Sequence, residues 1–350
     1  MERTTLEKPI ERVQTGGSRP GAVKPSGERV FITWLPFSSR SETLAKSFGA
    51  VSVYFGYLAG GNNLLKIALR YLLMTIHTIG FVLSRKPKLV YVMNQPVFLP
   101  LTLFLLSRIM RVKYVIDSHS GLFNKKEWQW ALPLMKYAYR HSLFSIVTNK
   151  NHCNLVESWG AKAEILGALT VGEEEVVPFN RVDDPSMVVI GTFASDEPLE
   201  EILEACQKLP HVKFYVTGAL KKAPPELISS APENVIFTDF ISRPEYVGLV
   251  RAMDAAIILV THDDVMQRGA YEAMSWGVPI ITSDWLILRE SFTKGTMFVD
   301  NTPAAIAGAV NQLLENPDHY KNEIDQLRRE RADNWDRNIE RINAYTEKNL

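Results

Sequence analysis

The amino-acid sequence predicts an α/β protein built from two doubly wound, Rossmann-like domains. Three observations carry this. Short β-branched runs alternate with helical patterns along most of the chain, the mark of parallel sheets joined by right-handed crossovers. The series restarts after Gly172-Glu-Glu-Glu175. At 350 residues and 46% hydrophobic composition, the chain has material for two cores of ordinary size.

Residues 1–27 are polar, with Gly16-Gly17, Pro20-Gly21 and Pro25, and read as a flexible tail without the apolar core of a signal peptide. The first domain, 28–175, follows. Its strands are expected at Val30–Thr33, Val51–Tyr54, Leu89–Met93, Lys113–Asp117 and Leu143–Thr148, its clearest helices at Asn63–Leu83, Val97–Arg111 and Trp128–His141. The segment Gly167–Pro185 has no period, carries the acidic run and two prolines, and reads as the linker. The second domain, 187–330, has strands expected at Met187–Ile190, Val212–Thr217, Val235–Thr238, Ala255–Val260, Val278–Thr282 and Thr296–Val299. A charged, amphipathic helical tail runs from Pro303 to the end.

Charge and cysteine content narrow the function. Lys and Arg number 39, as do Asp and Glu, so there is no global basic field and no nucleic-acid partner is expected. Cys153 and Cys206 have no metal-type spacing and fall in different domains, which suits a reducing, cytoplasmic location. Two apolar stretches invite a membrane check. Leu64–Leu83 is interrupted by Lys66, Arg70 and His77, and Val97–Met110 is short of the roughly 20 residues a spanning helix needs. Neither is expected to span. Both mix apolar residues with Lys66, Arg70, Arg108, Arg111 and Lys113, which suits either a core role or the inner face of a membrane.

The most informative motif is Asp264-Val-Met-Gln-Arg-Gly-Ala-Tyr-Glu272-Ala-Met, followed by Gly277-Val-Pro279. It lies after the apolar run ending at Val260, so it reads as strand, loop, helix start, then the next strand. Carboxylates in the loop and on the helix suit sugar or ribose hydroxyls. The unpaired N–H groups of a helix start, around Arg268, Gly269 and Ala270, suit a phosphate, with Gln267 beside them. This arrangement resembles the acidic-x7-Glu signature of the nucleotide-sugar glycosyltransferases of the GT-B fold. That resemblance implies two domains facing across a cleft, a nucleotide-diphosphate sugar as donor substrate, no cofactor and no bound metal. It implies that Glu272 holds the ribose and Asp264, here Asp where Glu is usual, the donor sugar. It also implies that residues 331–350 form a helix crossing back to the first domain, with Trp335 as anchor. Replacing Glu272 is then expected to weaken nucleotide binding with little effect on the fold. His262-Asp263-Asp264 lacks the Asp-x-Asp pattern of metal-dependent transferases, and no metal site is expected.

Ligands of open α/β sheets bind beyond the carboxyl ends of strands, so the loops there hold the remaining candidates. After the first strand, Ser38, Ser39 and Arg40 are candidates for an acceptor phosphate, although a serine there also suits a helix cap. Met93-Asn-Gln-Pro and Ile116-Asp-Ser-His-Ser120 are similar to the acceptor-side motifs of lipid-linked β-1,4-mannosyltransferases, and more broadly of family-4 glycosyltransferases. The similarity implies Asn94 as an acceptor-side residue. It implies His119 or Asp117 as general base in an inverting reaction, with His119 positioning the sugar in a retaining one. In the second domain the loop Gly191–Pro198 lacks the Arg-Lys pair common in retaining members; Thr192 and Gly218 line it, and Lys221 and Lys222 offer positive charge. Phe240 and Arg243 fall in the loop that holds the base in the family. The expected activity is hexosyl transfer to a lipid-linked or polysaccharide acceptor in glycan assembly. A nucleotide-sugar 2-epimerase of the same architecture is the alternative, and a catalytically silent partner of a membrane glycosyltransferase the third reading. No Gly-x-Gly-x-x-Gly fingerprint stands at a strand–helix junction, against a dinucleotide cofactor.

Overall fold

The computed structural model describes residues 10–12, 28–55, 64–119, 121–124, 126–167, 174–181, 185–263 and 267–350. The chain divides into two compact units, one of residues 1–168 with 335–350, the other of residues 169–334.

The first unit is built on seven strands: β1 (Ile10–Arg12), β2 (Arg29–Thr33), β3 (Val51–Tyr54), β4 (Leu89–Met93), β5 (Lys113–Asp117), β6 (Ser145–Val147) and β7 (Ala163–Ile165). Their order is β1-β3-β2-β4-β5-β6-β7, parallel throughout except for β1, which runs antiparallel to β3. β2 and β4 are buried along their whole length, as strands covered on both faces must be. From β2 the chain first adds β3 on one side, then crosses to β4 on the other. This puts the topological switch at the carboxyl ends of β2 and β4, the place where such sheets bind ligands.

Three helices expected from periodicity form at Leu64–Arg85, Phe98–Ile109 and Leu132–His141. The third starts later than its apolar pattern because residues 126–131 take a tighter 3-10 turn, and Pro133, which has no N–H to offer, sits where a first helical turn needs none. β7 was not anticipated, and within the tail β1 forms a short strand; the rest of residues 1–27 lies outside the described residues.

The second unit has six parallel strands: β8 (Ser186–Ile190), β9 (Lys213–Thr217), β10 (Val235–Asp239), β11 (Ala255–Ile258), β12 (Ile280–Ser283) and β13 (Thr296–Val299). The order β10-β9-β8-β11-β12-β13 places its switch point between β8 and β11. The helices Leu199–Gln207, Arg243–Ala252, Arg268–Ser275 and Pro303–Glu315 cover it. Gly277, at φ +69, takes the left-handed turn that ends Arg268–Ser275 and releases the chain into β12.

The stretch read as a linker is in part a strap packed on this unit. Val177 N–H donates to the Pro244 carbonyl, the Phe179 ring meets Tyr215 edge-on at 5.1 Å, and Arg181 pairs with Asp254 at 2.6 Å. The strap lies so close to the helix Arg243–Ala252 that a Cβ on Gly248 would stand 1.8 Å from the Val177 carbonyl oxygen.

The last helix, Pro317–Lys348, contributes to the second unit up to Asn334 and to the first from Trp335, which is buried. Its final turns are fixed by polar contacts within the first unit. Asn343 donates to the Ser47 carbonyl, Arg29 pairs with Glu347, Lys162 lies over the Tyr345 ring, and Glu164 accepts from both Lys162 and Arg341. Cys153 and Cys206 are buried and unpaired, one in each unit, and burial pushes the Cys206 thiol up to about 12.

Candidate functional site

In the second unit the helix Arg268–Ser275 starts beside the end of β8. Gly269 is required there, since a Cβ would stand 2.7 Å from Ile190 Cγ2. Glu272, one turn in, is buried at 5% exposure and gathers three donors. Its Oε1 accepts from Arg243 Nη1 and from Arg268 Nε, each at 2.9 Å, and its Oε2 accepts from the Tyr246 hydroxyl at 2.9 Å. Arg243 is held from its other side by Glu174 of the strap, through Nε at 2.7 Å and Nη2 at 2.8 Å. Its guanidinium also lies 5.3 Å from the Tyr246 ring centre and 5.2 Å from that of Trp276. Burial alone would lower the Arg243 pKa, but the two carboxylates outweigh it and the net shift is upward, so the cation is fixed. Burial, then the neighbouring Glu272 charge, pushes the Tyr246 phenol far above its ordinary value, which keeps it a donor.

This network bears on what is expected of Glu272. A carboxylate offers about four acceptor positions, and donors of the chain itself take three of them. Its replacement also strips partners from a buried phenol, so the fold cannot be indifferent to it. Arg268 remains open to a ligand, with its side chain 72% exposed. The first N–H groups of the helix, at Arg268, Gly269 and Ala270, have no intrahelical acceptor.

Gln267, by contrast, is buried and accepts from Thr282 Oγ1, which bonds the Ile258 carbonyl. It braces the helix start rather than facing a donor. Asp264 lies outside the described residues.

The loop after β8 is organised by a residue the sequence reading did not single out. Glu197 turns back and accepts from Thr192 N–H at 2.8 and 3.0 Å, from Thr192 Oγ1 at 3.0 Å and from Ala194 N–H at 3.3 Å. Thr192 is therefore engaged by the chain's own carboxylate. Gly218, at φ +130, lets this loop approach, because a Cβ there would meet the Phe193 ring at 2.7 Å. Lys221 and Lys222 are exposed in the 3-10 turn Leu220–Lys222, which is tied to β10 by Leu220 N–H donating to Asp239. Phe240 follows, 83% exposed, an open ring face next in sequence to that turn's anchor.

In the first unit the residues after β2, β4 and β5 converge. Asp117 ends β5 fully buried; Arg40 donates to both its oxygens through Nε at 3.1 Å and through Nη2 at 2.9 Å, and His119 Nε2 lies 3.2 Å from Oδ2. Burial alone would raise the Asp117 carboxyl, but Arg40 and His119 outweigh it and hold it well below the usual carboxylate range. The ionised Asp117 accepts from His119 Nε2–H in this contact, and Nδ1 has no partner among the described residues. The His119 peptide is pinned by Asn94, whose Oδ1 accepts from His119 N–H and whose Nδ2 donates to the His119 carbonyl, each at 3.0 Å. The neighbouring Ser118 hydroxyl meets the buried Tyr139 phenol at 2.9 Å.

Several expectations change accordingly. Asp117 is fully buried and already paired with Arg40 and His119, and its depressed pKa makes it a weak base, so it positions His119 instead of taking a proton. Arg40 is clamped on Asp117 instead of reaching for an acceptor phosphate, and Asn94 positions the histidine loop. Ser38 caps the helix Ser39–Ser47 by accepting from Ser41 N–H, and the Ser39 side chain lies outside those described. His119, one-third exposed, is the group in this cluster with a ring nitrogen that has no partner among the described residues.

Residues 184–316 match the glycosyl transferases group 1 family. None of the curated proteins matches the sequence. Among solved structures, the chain is similar to HepE from Anabaena, determined in complex with UDP, at a TM-score of 0.65 and 13% identity over 92% of this chain and 100% of that one. It is also similar to sucrose-phosphate synthase from Thermosynechococcus elongatus, at 0.64 and 12% over 91% and 98%. A candidate UDP-N-acetylglucosamine 2-epimerase from Listeria monocytogenes aligns at 0.60 and 12% over 85% and 90%. At such identities these likenesses speak for the fold, which the epimerase shares. The match to the glycosyl transferases group 1 family thus covers residues 184–316, within a chain that has the two-domain GT-B fold.

Proposed function

We propose that the protein is a metal-independent hexosyltransferase that moves a sugar from a nucleoside-diphosphate sugar to a lipid-linked or polysaccharide acceptor, on the cytoplasmic side of a membrane. The observation that carries this is the helix start of the group 1 domain, where Arg268, the first-turn N–H groups and buried Glu272 come together at the end of a parallel sheet. Departure of a nucleoside diphosphate builds negative charge on the leaving oxygens. Arg268 and the helix amides offset that charge, with Lys221 and Lys222 as further cations. Glu272 takes one ribose hydroxyl on its remaining acceptor position, and the Phe240 ring is available to a base. A uridine nucleotide is the first donor to test, because HepE, of the same fold, was determined with UDP.

His119 supplies the acceptor side. With Asp117 fixing its tautomer, Nδ1 takes the proton of the attacking hydroxyl if the reaction inverts, and orients the sugar if it retains. Incubation of the purified protein with UDP- and GDP-sugars and a polyprenyl-linked acceptor tests the reading. Nucleoside diphosphate should appear in step with glycosylated lipid. Epimerised nucleotide sugar without nucleotide release would establish the epimerase instead, and no calorimetric binding of either nucleotide would remove the reading altogether.

A further inference from the structure

The helix Leu64–Arg85 is apolar on both faces yet little buried. Its inner side places Met74, Thr78 and Val82 against the first unit's core, where Trp34 Nε1 donates to Thr78 Oγ1 at 3.0 Å. Its outer side exposes Leu65, Leu69, Leu72, Ile76 and Leu83, at 79, 55, 56, 52 and 49%. These fall at successive steps of three, four or seven residues, a single stripe along one face. By length and composition residues 65–85 are able to cross a membrane, the charges Lys66, Arg70 and Arg85 standing toward the ends. The docked inner face argues that the helix instead lies along a surface.

The stripe continues onto neighbouring helices. Tyr71 packs on Phe98 at 5.1 Å and Phe98 on Trp130 at 6.3 Å, linking Leu64–Arg85 to Phe98–Ile109 and to the turn before Leu132–His141. On these elements Leu105, Ile109, Trp130 and Tyr137 are each more than half exposed. Among the described residues, ten of the eighteen exposed large hydrophobic side chains lie between 65 and 137, well beyond the scatter of single exposed residues on a soluble surface.

Charge tells what this face meets. The chain as a whole is neutral, yet residues 64–141 carry twelve Lys and Arg against two acids, Asp117 and Glu127. Asp117 is buried and paired, and the exposed positions Lys66, Arg108 and Arg140 on the helices, with Arg111 just past the end of Phe98–Ile109, flank the apolar stripe. Apolar side chains with interfacial Trp and Tyr, rimmed by cations, match an anionic bilayer surface. Bare RNA would leave the leucines exposed to water. We infer that the outer face of helix Leu64–Arg85, with Leu105, Ile109 and Trp130 beside it, docks flat on an anionic lipid surface without spanning it. This deepens the proposed function, on which it rests for its meaning: it commits the acceptor to the lipid-linked class.

The test uses the full-length chain and vesicles of phosphatidylcholine, alone or mixed with phosphatidylglycerol. Flotation with the mixed vesicles and little with phosphatidylcholine alone is expected. The triple variant Leu69→Gln, Leu72→Gln, Ile76→Gln alters only exposed positions and should bind mixed vesicles at least about tenfold more weakly. Arg108→Ser with Arg111→Ser should weaken mainly the salt-sensitive part of binding. Nucleotide affinity should not change in either variant, and unchanged hydrogen exchange in first-unit peptides around 89–93 and 113–117 reports that the substituted unit remains folded. Wild-type protein that stays off mixed vesicles at low salt, or a triple variant that floats as wild type, overturns the inference. So does a concentration-dependent dimer that the triple variant abolishes while wild type ignores vesicles, which would make the face a protein interface. Wild-type protein that transfers sugar yet stays off mixed vesicles would sink the docking surface alone. Vesicle binding by a protein that takes no nucleotide would sink the glycosyltransferase reading alone.

Discussion

Glu272→Ala removes the acceptor on which three donors converge, and the structure allows its cost to be apportioned. The Tyr246 hydroxyl donates to Oε2 at 2.9 Å from a buried ring, and a hydrogen bond to a charged acceptor is worth about 1.5–3 kcal/mol. Arg243 loses one carboxylate but keeps Glu174, so its share is about 1 kcal/mol. The Arg268 side chain is 72% exposed and adds only a few tenths, about 0.3 kcal/mol. The total is about 3 kcal/mol, more than half of it through Tyr246.

Because the chain has two units, global unfolding is a poor gauge, and hydrogen exchange read on peptides spanning 243–276 gives the local opening free energy. Tyr246→Phe alone should lose about 1.5–2 kcal/mol, and the double variant should lose little more than Glu272→Ala. Nucleotide affinity should fall in Glu272→Ala and less in Tyr246→Phe. The apportionment fails if Glu272→Ala lowers the opening free energy by under about 1 kcal/mol, or if the two substitutions simply add.

His119→Ala should lower turnover by about 10²–10⁴-fold if Nδ1 is the base, with nucleotide affinity unchanged, measured by steady-state kinetics alongside calorimetry. Arg40→Met strands a fully buried carboxylate and should cost about 3–5 kcal/mol of first-unit stability, seen as faster exchange in peptides around 113–119. The Asp117 carboxyl is depressed in the folded state, so its contribution is complete above the unfolded carboxylate value of about 3.9 and fades as pH falls through the folded one. Asp117→Asn should flatten that acid-side loss of stability in a pH series. Gly248→Ala should cost about 1–3 kcal/mol by forcing the strap off its helix, detectable as freed exchange at Val177.

The sheets were legible because parallel strands leave apolar runs such as Leu89–Met93, buried from end to end. β7 escaped because Ala163-Glu-Ile165 is three residues with an acid in the middle. That acid, Glu164, is tolerated only because Lys162 and Arg341 reach it after folding. The Arg268–Glu272 pair is a helix neighbour at four residues and could be read directly. Arg243 could not, because one of its carboxylates lies 29 residues away and the other 69, so its role exists only in the tertiary structure. Tyr246 had a local hint. Ser242-Arg-Pro-Glu245 is a capping box, which sets the helix start and hence which face carries the tyrosine. At Asp117 and Arg40 the residue types pointed to a ligand site, but the two groups satisfy each other.

The strap of residues 174–181 decides where the second unit of this protein begins. A fragment cut at 187, where the strand pattern restarts, would discard Glu174 and release Arg243, bare the surface of Gly248, and leave Asp254 without Arg181. Such a fragment retains all six strands and lacks the brace that fixes Arg243 over Glu272. Autonomy of the second unit therefore starts at Glu174, well before its first strand at Ser186, and whatever pulls on those residues reaches the buried Glu272 carboxylate through a single guanidinium.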